Sequence, residues 1–298
     1  MCLIASTSID GQIKICDIET GENIRTIYAH KYTINSLHFN PDNSRIISAS
    51  NDMTVKVWDS YTGELIHTLI GHTYYVNSAY FSPDGSKIVS TSKHDSIRIW
   101  NSQTGELIHI LEDYYRWISP GSFSPDGSKL VIVSYDNILR ILDIVTFEII
   151  LSIYGDHSCF SLVLFSPDGS KIVSSSDAEI IKIWNSQTGE LIHILENFSN
   201  CINWLCFNPD GSKIISVSNE GKIRIWDSIT YEYIDILEFN NYLIKNIYFN
   251  QDGSKICLIQ FDGRAKILNS ETGELICSLP DRSNKLICFG NKVTGSYI

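Results

Sequence analysis

The sequence has no concentration of Lys and Arg, and this lack bears on the class of partner. Asp and Glu outnumber Lys and Arg by 34 to 23, and the formal net charge is −11. A protein that binds nucleic acid needs a positive surface to displace counterions from the phosphates. We therefore expect no nucleic acid as a partner, and the acidic balance favours a protein or peptide partner that is basic.

Other absences narrow the class further. The eight cysteines form no Cys-x-x-Cys pair, and no GxGxxG, Walker or HExxH motif is present. No apolar run reaches the length of about 18 residues that a membrane span needs. The first residues, MCLIASTSID, lack the basic start of a signal peptide. We expect that the protein binds no cofactor and no metal and does not associate with a membrane. We also expect it to be intracellular, in the cytoplasm rather than the nucleus.

What the sequence has in quantity is repetition. The stretch WNSQTGELIHILE occurs at 100–112 and again at 184–196. The turn motif Pro-Asp-Gly and its variants begin at residues 41, 83, 125, 167, 209 and 251, and the Trp-Asp position recurs with the same spacing. Seven such units fill nearly the whole chain. We predict a single domain over residues 1–298.

Each unit reads as four short strands separated by turns. In the third unit the predicted strands are 76–81, 87–92, 97–100 and 107–112. Val, Ile, Thr and aromatic residues fill these strands, whereas Pro, Asp, Asn and Gly separate them. No segment has a sustained helical period, so we expect no helices. Four strands in a repeat of roughly 40–45 residues are typical of a propeller blade.

The unit GH…VNSAYFSPDGSKIVSTS…IRIWN resembles the WD40 repeat, and the resemblance covers essentially the whole chain. It implies an all-β, seven-bladed β-propeller of four-stranded antiparallel blades. Residues 3–7 match a second strand, so blade one begins without its innermost strand. Residues 284–289 match an innermost strand, and we expect them to complete blade one and close the ring. Residues 292–298 have no evident place in this scheme.

The resemblance also implies a hydrogen-bonded network of His, Ser, Asp and Trp within a blade. Carried over by position, it predicts a network in blade two and a partial one in blade three, formed by His30, Ser48, Asp52, Trp58, His72, Ser90 and Trp100. In blade three, His94 stands at the Asp position. A Ser, a His and an Asp together also suggest a hydrolase. A set that is repeated and tied to a Trp suits blade cohesion instead, so we predict no catalytic residue and no enzyme activity.

Three further histidines, His67, His109 and His193, recur at one position of the outermost strand. They fall on different blades, so they cannot converge on one metal ion, and we predict no metal site.

The units differ from one another mainly in the loop before the first strand and in the turn between the second and third strands. In the WD40 family these connections open on the top face, which commonly binds protein segments. The candidate partner-binding residues are Tyr75, Trp117 and Tyr135, with Lys93 and Arg116 at the rim. A competing interpretation places Trp117 inward, bracing a blade that has Leu142 in place of Trp. Drift in unselected loops would also produce such variation.

We therefore predict a non-enzymatic WD40 scaffold that docks a protein or peptide on its top face. One alternative is a reader of a basic peptide, and another is a substrate adaptor in a larger complex. From other classes, a propeller enzyme and a decayed gene product without a stable partner stay open. Each loss of a Trp from a unit is compatible with the last of these.

Overall fold

The structure of the chain, a computed structural model, consists of β-strands joined by short connections. It describes residues 3–8, 10–17, 20–92, 96–111, 119–134, 136–155, 160–176, 180–196, 202–218, 222–237, 244–250, 252–260, 262, 264–279 and 287–289. In this part of the chain all regular secondary structure is β, and the strands form seven four-stranded sheets. The predicted all-β, seven-bladed β-propeller is confirmed.

The strands fall into two compact units, of which the first comprises residues 1–117 and 248–293 and the second comprises residues 118–247 and 294–298. Blades one to three contain β1 (Leu3–Thr7), β2 (Gln12–Asp17), β3 (Asn23–Tyr28), β4 (Ile34–Phe39), β5 (Arg45–Ser50), β6 (Thr54–Asp59), β7 (Leu65–Ile70), β8 (Val76–Phe81), β9 (Lys87–Ser92), β10 (Ile97–Asn101) and β11 (Leu107–Leu111). Blades four to six contain β12 (Ser119–Phe123), β13 (Lys129–Val133), β14 (Ile138–Asp143), β15 (Ile149–Tyr154), β16 (Phe160–Phe165), β17 (Lys171–Ser176), β18 (Ile181–Asn185), β19 (Leu191–Leu195), β20 (Ile202–Phe207), β21 (Lys213–Ser218), β22 (Ile223–Asp227) and β23 (Tyr233–Leu237). The remaining strands are β24 (Ile244–Phe249), β25 (Lys255–Gln260), β26 (Ala265–Asn269), β27 (Leu275–Leu279) and β28 (Ile287–Phe289).

Six blades use four consecutive strands, and blade one does not. Its sheet has the order β28-β1-β2-β3, in which β28 pairs antiparallel with β1. Ile4 lies opposite Phe289, and Ser6 lies opposite Ile287. The prediction that the C-terminal strand completes blade one is confirmed, with the strand over 287–289 inside the predicted 284–289.

Burial follows the position of a strand in its blade. In β5 of blade two, five consecutive residues from Ile46 to Ser50 are buried, so both faces of this strand are covered. In the fourth strand, β7, only Leu69 is buried. Ser48 and Ser50 are among the buried residues of β5, and Val57, Phe81 and Trp100 belong to a core shared by blades two and three.

The connections between consecutive antiparallel strands alternate between two ends of each blade. At the bottom end are the turns after the first and third strands. In blade three, Asp84 Oδ1 accepts the Ser86 N–H at 3.0 Å, and Gly85 has φ of 72°. Ser102 Oγ then donates to Gly85 O at 2.5 Å and ties the two bottom turns together. At the top end are the loop before the first strand and the turn after the second.

Candidate functional site

A chain of hydrogen bonds runs through the top half of blade two. His30 precedes β4, Ser48 lies on β5, Asp52 follows β5, and Trp58 lies on β6. His30 Nδ1 is 2.7 Å from Asp52 Oδ2, and His30 Nε2 is 2.8 Å from Ser48 Oγ. Trp58 Nε1 donates to Ser48 Oγ at 2.9 Å. Because the indole N–H can only donate, the hydroxyl hydrogen is left for His30 Nε2, and Nδ1–H donates to the carboxylate.

Parts of the same arrangement recur in other blades. In blade three, His72 Nε2 is 2.7 Å from Ser90 Oγ, which also accepts the Trp100 indole N–H at 2.8 Å. In blade five, Trp184 Nε1 donates to Ser174 Oγ at 2.8 Å. His94, at the Asp position of blade three, lies outside the described residues.

Two blades replace both members of the Trp–Ser pair with aliphatic side chains. Blade four has Ile132 and Leu142 at these positions, and blade seven has Leu258 and Leu268. All four side chains are buried. The missing Trp is evident from the Trp-Asp position, and the repeat spacing also places Ile132 and Leu258 in register with Ser48. Replacing both partners removes the need for a hydrogen bond, so no orphaned hydroxyl or indole N–H remains at these positions.

In blade two, the Ser–His–Asp set presents no nucleophile to a substrate. Ser48 is fully buried, and its hydroxyl oxygen already bonds the Trp58 indole and the His30 ring. A hydrolase needs an exposed hydroxyl beside an oxyanion hole. The arrangement in blade two is suited to holding strands and loops together.

Other titratable groups are buried in the blades, among them His38 and Cys206. Burial lowers the pKa of His38 to about 4, so its ring is neutral at physiological pH. Burial raises the pKa of the Cys206 thiol to about 12, so this thiol is protonated and packs as a small apolar group. Cys201 lies outside the described residues.

The polar groups of blade two fix the backbone of the loop before β4. Lys56 Nζ donates to Ala29 O at 2.7 Å, and the Asn51 N–H donates to Thr33 O at 3.0 Å. The side chain of Tyr32, between these two anchor points, is 62% exposed. The loop is thus held by its carbonyl groups while its aromatic side chain faces solvent.

The loop before β8 in blade three is held in the same way. Ser92 Oγ lies 3.1 Å from Tyr74 O and 2.9 Å from Tyr75 O, and shares its hydrogen between the two carbonyls. The rings of Tyr74 and Tyr75 pack together with centroids 4.7 Å apart at an angle of 43°. They remain 38% and 42% exposed. This loop therefore presents a fixed aromatic pair to solvent.

Asn35 joins the two loop regions. Its Nδ2 donates to Asn51 Oδ1 at 2.7 Å within blade two and to Val76 O at 2.8 Å at the start of blade three. Tyr75 immediately precedes Val76. We call the exposed side chains of Tyr32, Met53, Tyr74 and Tyr75 the top-end surface, with Asn35 and Asn51 between the two loops.

The predicted partner-binding residues are only partly within the described chain. Tyr75 is exposed at the top end, as a docking residue requires. Lys93, Arg116, Trp117 and Tyr135 lie outside the described residues, so their part in docking stays a prediction. Tyr32, Met53 and Tyr74 are not among the predicted residues, although all three lie in the variable top connections.

Among the described residues, no group of His, Cys, Asp and Glu is arranged to hold a metal ion. His67 Nε2, one of the three recurring histidines, instead lies 2.9 Å from the backbone oxygen of Gln103 in the next blade. No helix in this part of the chain has the length and apolarity to span a membrane.

Comparison with protein families agrees with this geometry. The family model described as WD domain, G-beta repeat matches residues 21–59, 63–101, 148–185 and 189–227, more than half of the chain. The chain belongs to the WD40 family. Each matched WD40 repeat ends at or just after a Trp that is present, namely Trp58, Trp100, Trp184 and Trp226. The repeats with Leu142 and Leu268 are not among the matched segments.

Each matched WD40 segment joins the fourth strand of one blade to the first three strands of the next. Residues 21–59, for example, contain β3 of blade one and β4, β5 and β6 of blade two. A repeat in sequence is therefore shared by two blades. A search of curated proteins found no match to the chain.

Proposed function

We propose that this WD40 protein is a non-enzymatic scaffold that docks a protein segment on the top-end surface of blades two and three. WD40 propellers generally act as protein-interaction scaffolds. The observation that carries the proposal is the Tyr74–Tyr75 pair, which is half-exposed while Ser92 holds both carbonyl groups.

The fixed backbone lowers the entropic cost of docking. Ordering a mobile loop side chain costs roughly 0.5–1.5 kcal/mol on association. In blades two and three Ser92 and Asn51 already hold the loop backbone, so the ordering cost that remains is that of the side chains. Tyrosine adds a large contact area with few torsions to freeze and a hydroxyl that can bond at the rim. The pair therefore has the chemistry of an interface anchor.

Polar groups beside the tyrosines have unused capacity. Asn35 donates both Nδ2 hydrogens, but its Oδ1 has no partner among the described residues. Asn51 accepts through Oδ1, while its Nδ2 likewise has no partner among the residues that the structure describes. One acceptor and one donor are thus available between the loops. A peptide backbone, with its C=O and N–H groups, can satisfy both.

The top-end surface favours an apolar or aromatic partner segment over a basic one. Asp52, the carboxylate between Asn51 and Met53, is occupied by the His30 ring and by the Thr54 side chain and N–H. A basic side chain would have to displace these bonds. A peptide reader or substrate adaptor that acts at this surface would select its segment by apolar and backbone contacts.

Affinity capture with matched variants tests the proposal. Two baits, the wild type and the double variant Tyr74→Ala/Tyr75→Ala, are immobilised on a support and incubated with extract of the cells that express the protein. Tyr61→Ala is the control, because Tyr61 is 59% exposed at the bottom end of blade two. We expect a stoichiometric partner on wild type and on the control, and about tenfold less on the double variant, with an unchanged melting temperature.

Two outcomes would contradict the proposal. Equal capture by the double variant and by the control would show that the tyrosine pair takes no part in docking. Turnover of a small molecule by the purified protein, without a stoichiometric partner, would favour the propeller enzyme.

A further inference from the structure

The bottom turns carry an excess of acidic charge. The turns after the third strands read DIETGE, DSYTGE, NSQTGE, DIVTFE, NSQTGE, DSITYE and NSETGE. Every one ends in Glu, and none contains Lys or Arg. The turns after the first strands pair each Asp with a Lys or Arg and so add little net charge. The bottom end of each blade is therefore acidic wherever the two turns meet.

A pocket of about 230 Å³ opens at this end between blades five and six, within the second unit. Its wall includes Asp168 and Lys171 from blade five, and Phe207, Asp210 and Ile229 from blade six. The pocket thus combines apolar side chains with two carboxylates, one from each blade.

At the bottom junction of blades two and three, the place that corresponds to this pocket is filled by a side chain. There Arg45 donates through Nη1 to Ser102 O at 2.8 Å and through Nη2 to Gln103 Oε1 at 3.0 Å. The base of one blade is thereby clamped by the backbone and the side chain of the next blade's turn.

Between blades five and six this clamp is incomplete. Lys171 Nζ donates to Ser228 O at 2.7 Å, and it lies 5.1 Å from the centre of the Tyr231 ring. Ile229 occupies the position of Gln103, offers no acceptor and is 75% exposed. The ammonium is drawn toward Tyr231, and an apolar side chain stands at the pocket rim where blade three has an amide.

The carboxylates at the pocket are ionised at neutral pH. Burial acts to raise the pKa of Asp168, but hydrogen bonds from Ser166 and Ser170 outweigh it and lower the pKa. Hydrogen bonds from Ser212 lower the pKa of Asp210. Both carboxylates are exposed, so their remaining lone pairs are open to a cation. Each of these carboxylates has a lysine of its own turn nearby, Lys171 for Asp168 and Lys213 for Asp210. The excess of negative charge around the pocket therefore comes from Asp227 and Glu232 of the adjoining turn.

We propose that this pocket receives a Lys or Arg side chain from a basic protein segment that docks on the bottom ends of blades five and six. The methylene stem lies against Phe207 and Ile229, and the charged group lies between Asp168 and Asp210. Long basic side chains combine an apolar stem with a charged head, which is the combination that this pocket offers. This site is separate from the top-end surface and does not rest on the docking proposed there.

The test uses a defined probe, a fluorescein-labelled peptide Gly-Ser-Lys-Leu-Lys-Ser-Gly, and follows its anisotropy as the full chain is added at low salt. The same peptide with Glu in place of both Lys is the probe control. Asp210→Asn removes one pocket charge and keeps the acceptor for the Ser212 N–H. Asp126→Asn is the protein control, since Asp126 makes the same turn bond to Ser128 in blade four. Ile229→Gln restores the residue found at positions 103 and 187.

We expect saturable binding of the Lys peptide that weakens as salt is added, and no binding of the Glu peptide. Asp210→Asn and Ile229→Gln should each weaken binding by about fivefold or more, whereas Asp126→Asn should change it by less than about twofold. Equal weakening by Asp126→Asn and Asp210→Asn would overturn the proposal, since it would show attraction to diffuse charge. An unchanged affinity in Ile229→Gln, or no binding by wild type, would also overturn it.

Discussion

The ring of His30 and the carboxylate of Asp52 are joined at 2.7 Å between two different top connections of blade two. The His30 side chain is fully buried, and that of Asp52 is 14% exposed. The pair therefore links the loop before β4 to the turn after β5, away from bulk water. Loss of either partner leaves a polar group without its bond.

The first prediction concerns this pair. His30→Ala and Asp52→Ala should each lower the free energy of unfolding by about 1–3 kcal/mol, because each leaves a buried group unsatisfied. In a double-mutant cycle the two changes should couple by about 0.5 kcal/mol or more. Denaturant unfolding measures all four proteins. Strictly additive losses would show that the 2.7 Å contact contributes nothing to stability.

The second prediction concerns acid. Burial acts to raise the pKa of Asp52, but the hydrogen bonds from His30 and Thr54 outweigh it and hold the pKa at about 2. A depressed folded-state pKa gives stability that is present above the unfolded value, near 4, and lost as pH falls through the folded value. The free energy of unfolding should therefore fall between about pH 4 and pH 2. Asp52→Asn should be less stable than wild type at neutral pH, but its free energy of unfolding should fall by about 1–2 kcal/mol less than that of wild type between pH 4 and pH 2. If the free energies of the two proteins fall in parallel over this range, the low pKa of Asp52 is contradicted.

The third prediction concerns blade four, in which aliphatic side chains replace the Trp–Ser pair. Ile132 is buried in blade four at the place of Ser48, and Leu142 stands at the place of Trp58. Ile132→Ser should be less stable than Ile132→Ala by about 1–3 kcal/mol, because the hydroxyl has no indole to accept from. At position 48 the order should reverse, with Ser more stable than Ala. Thermal unfolding of wild type, Ser48→Ala, Ile132→Ser and Ile132→Ala checks both orders. The same order at both positions would contradict the idea that the aliphatic residue at position 132 offsets the loss of the Trp.

The fourth prediction concerns closure of blade one. Truncation after Leu279 removes β28 and leaves the edge of β1, from Ile4 to Ser6, without a partner. We expect aggregation and loss of a cooperative unfolding transition, since an unpaired edge templates intermolecular pairing. Truncation after residue 290 is the control because it keeps β28. If the shorter chain melts like the longer one, the pairing of β28 with β1 is not needed for the fold.

The strand pattern could be predicted closely from the sequence, for a local reason. The strands predicted over 76–81 and 87–92 are β8 and β9 with the same bounds. Each is limited by turn residues that act on their own backbone, as Asp84 does on the Ser86 N–H. Such signals lie within a few residues of the boundary that they set. Because the same turn residues recur in each unit, the strand bounds of one unit predict those of the others.

Contacts between blades could not be predicted in this way. Asn35 donates to Val76 O across the junction of blades two and three, and Arg45 reaches Ser102 O and Gln103 in the next blade. Each contact depends on how far one sheet is rotated against its neighbour, which no single unit specifies. The pocket at Ile229 has the same origin. The sequence offered only the replacement of Gln by Ile at a repeated position.

The central claim is that the top-end surface of blades two and three contacts a protein partner, and site-specific photo-crosslinking tests it most directly. The photoreactive residue p-benzoylphenylalanine replaces Tyr75 in one protein and Tyr61, at the bottom end of blade two, in another. Both side chains are exposed, so both probes have access to solvent. On irradiation in cells that express the protein, we predict one discrete crosslinked species from position 75 and none of the same mass from position 61. The same species from both positions, or none from position 75, would contradict the account.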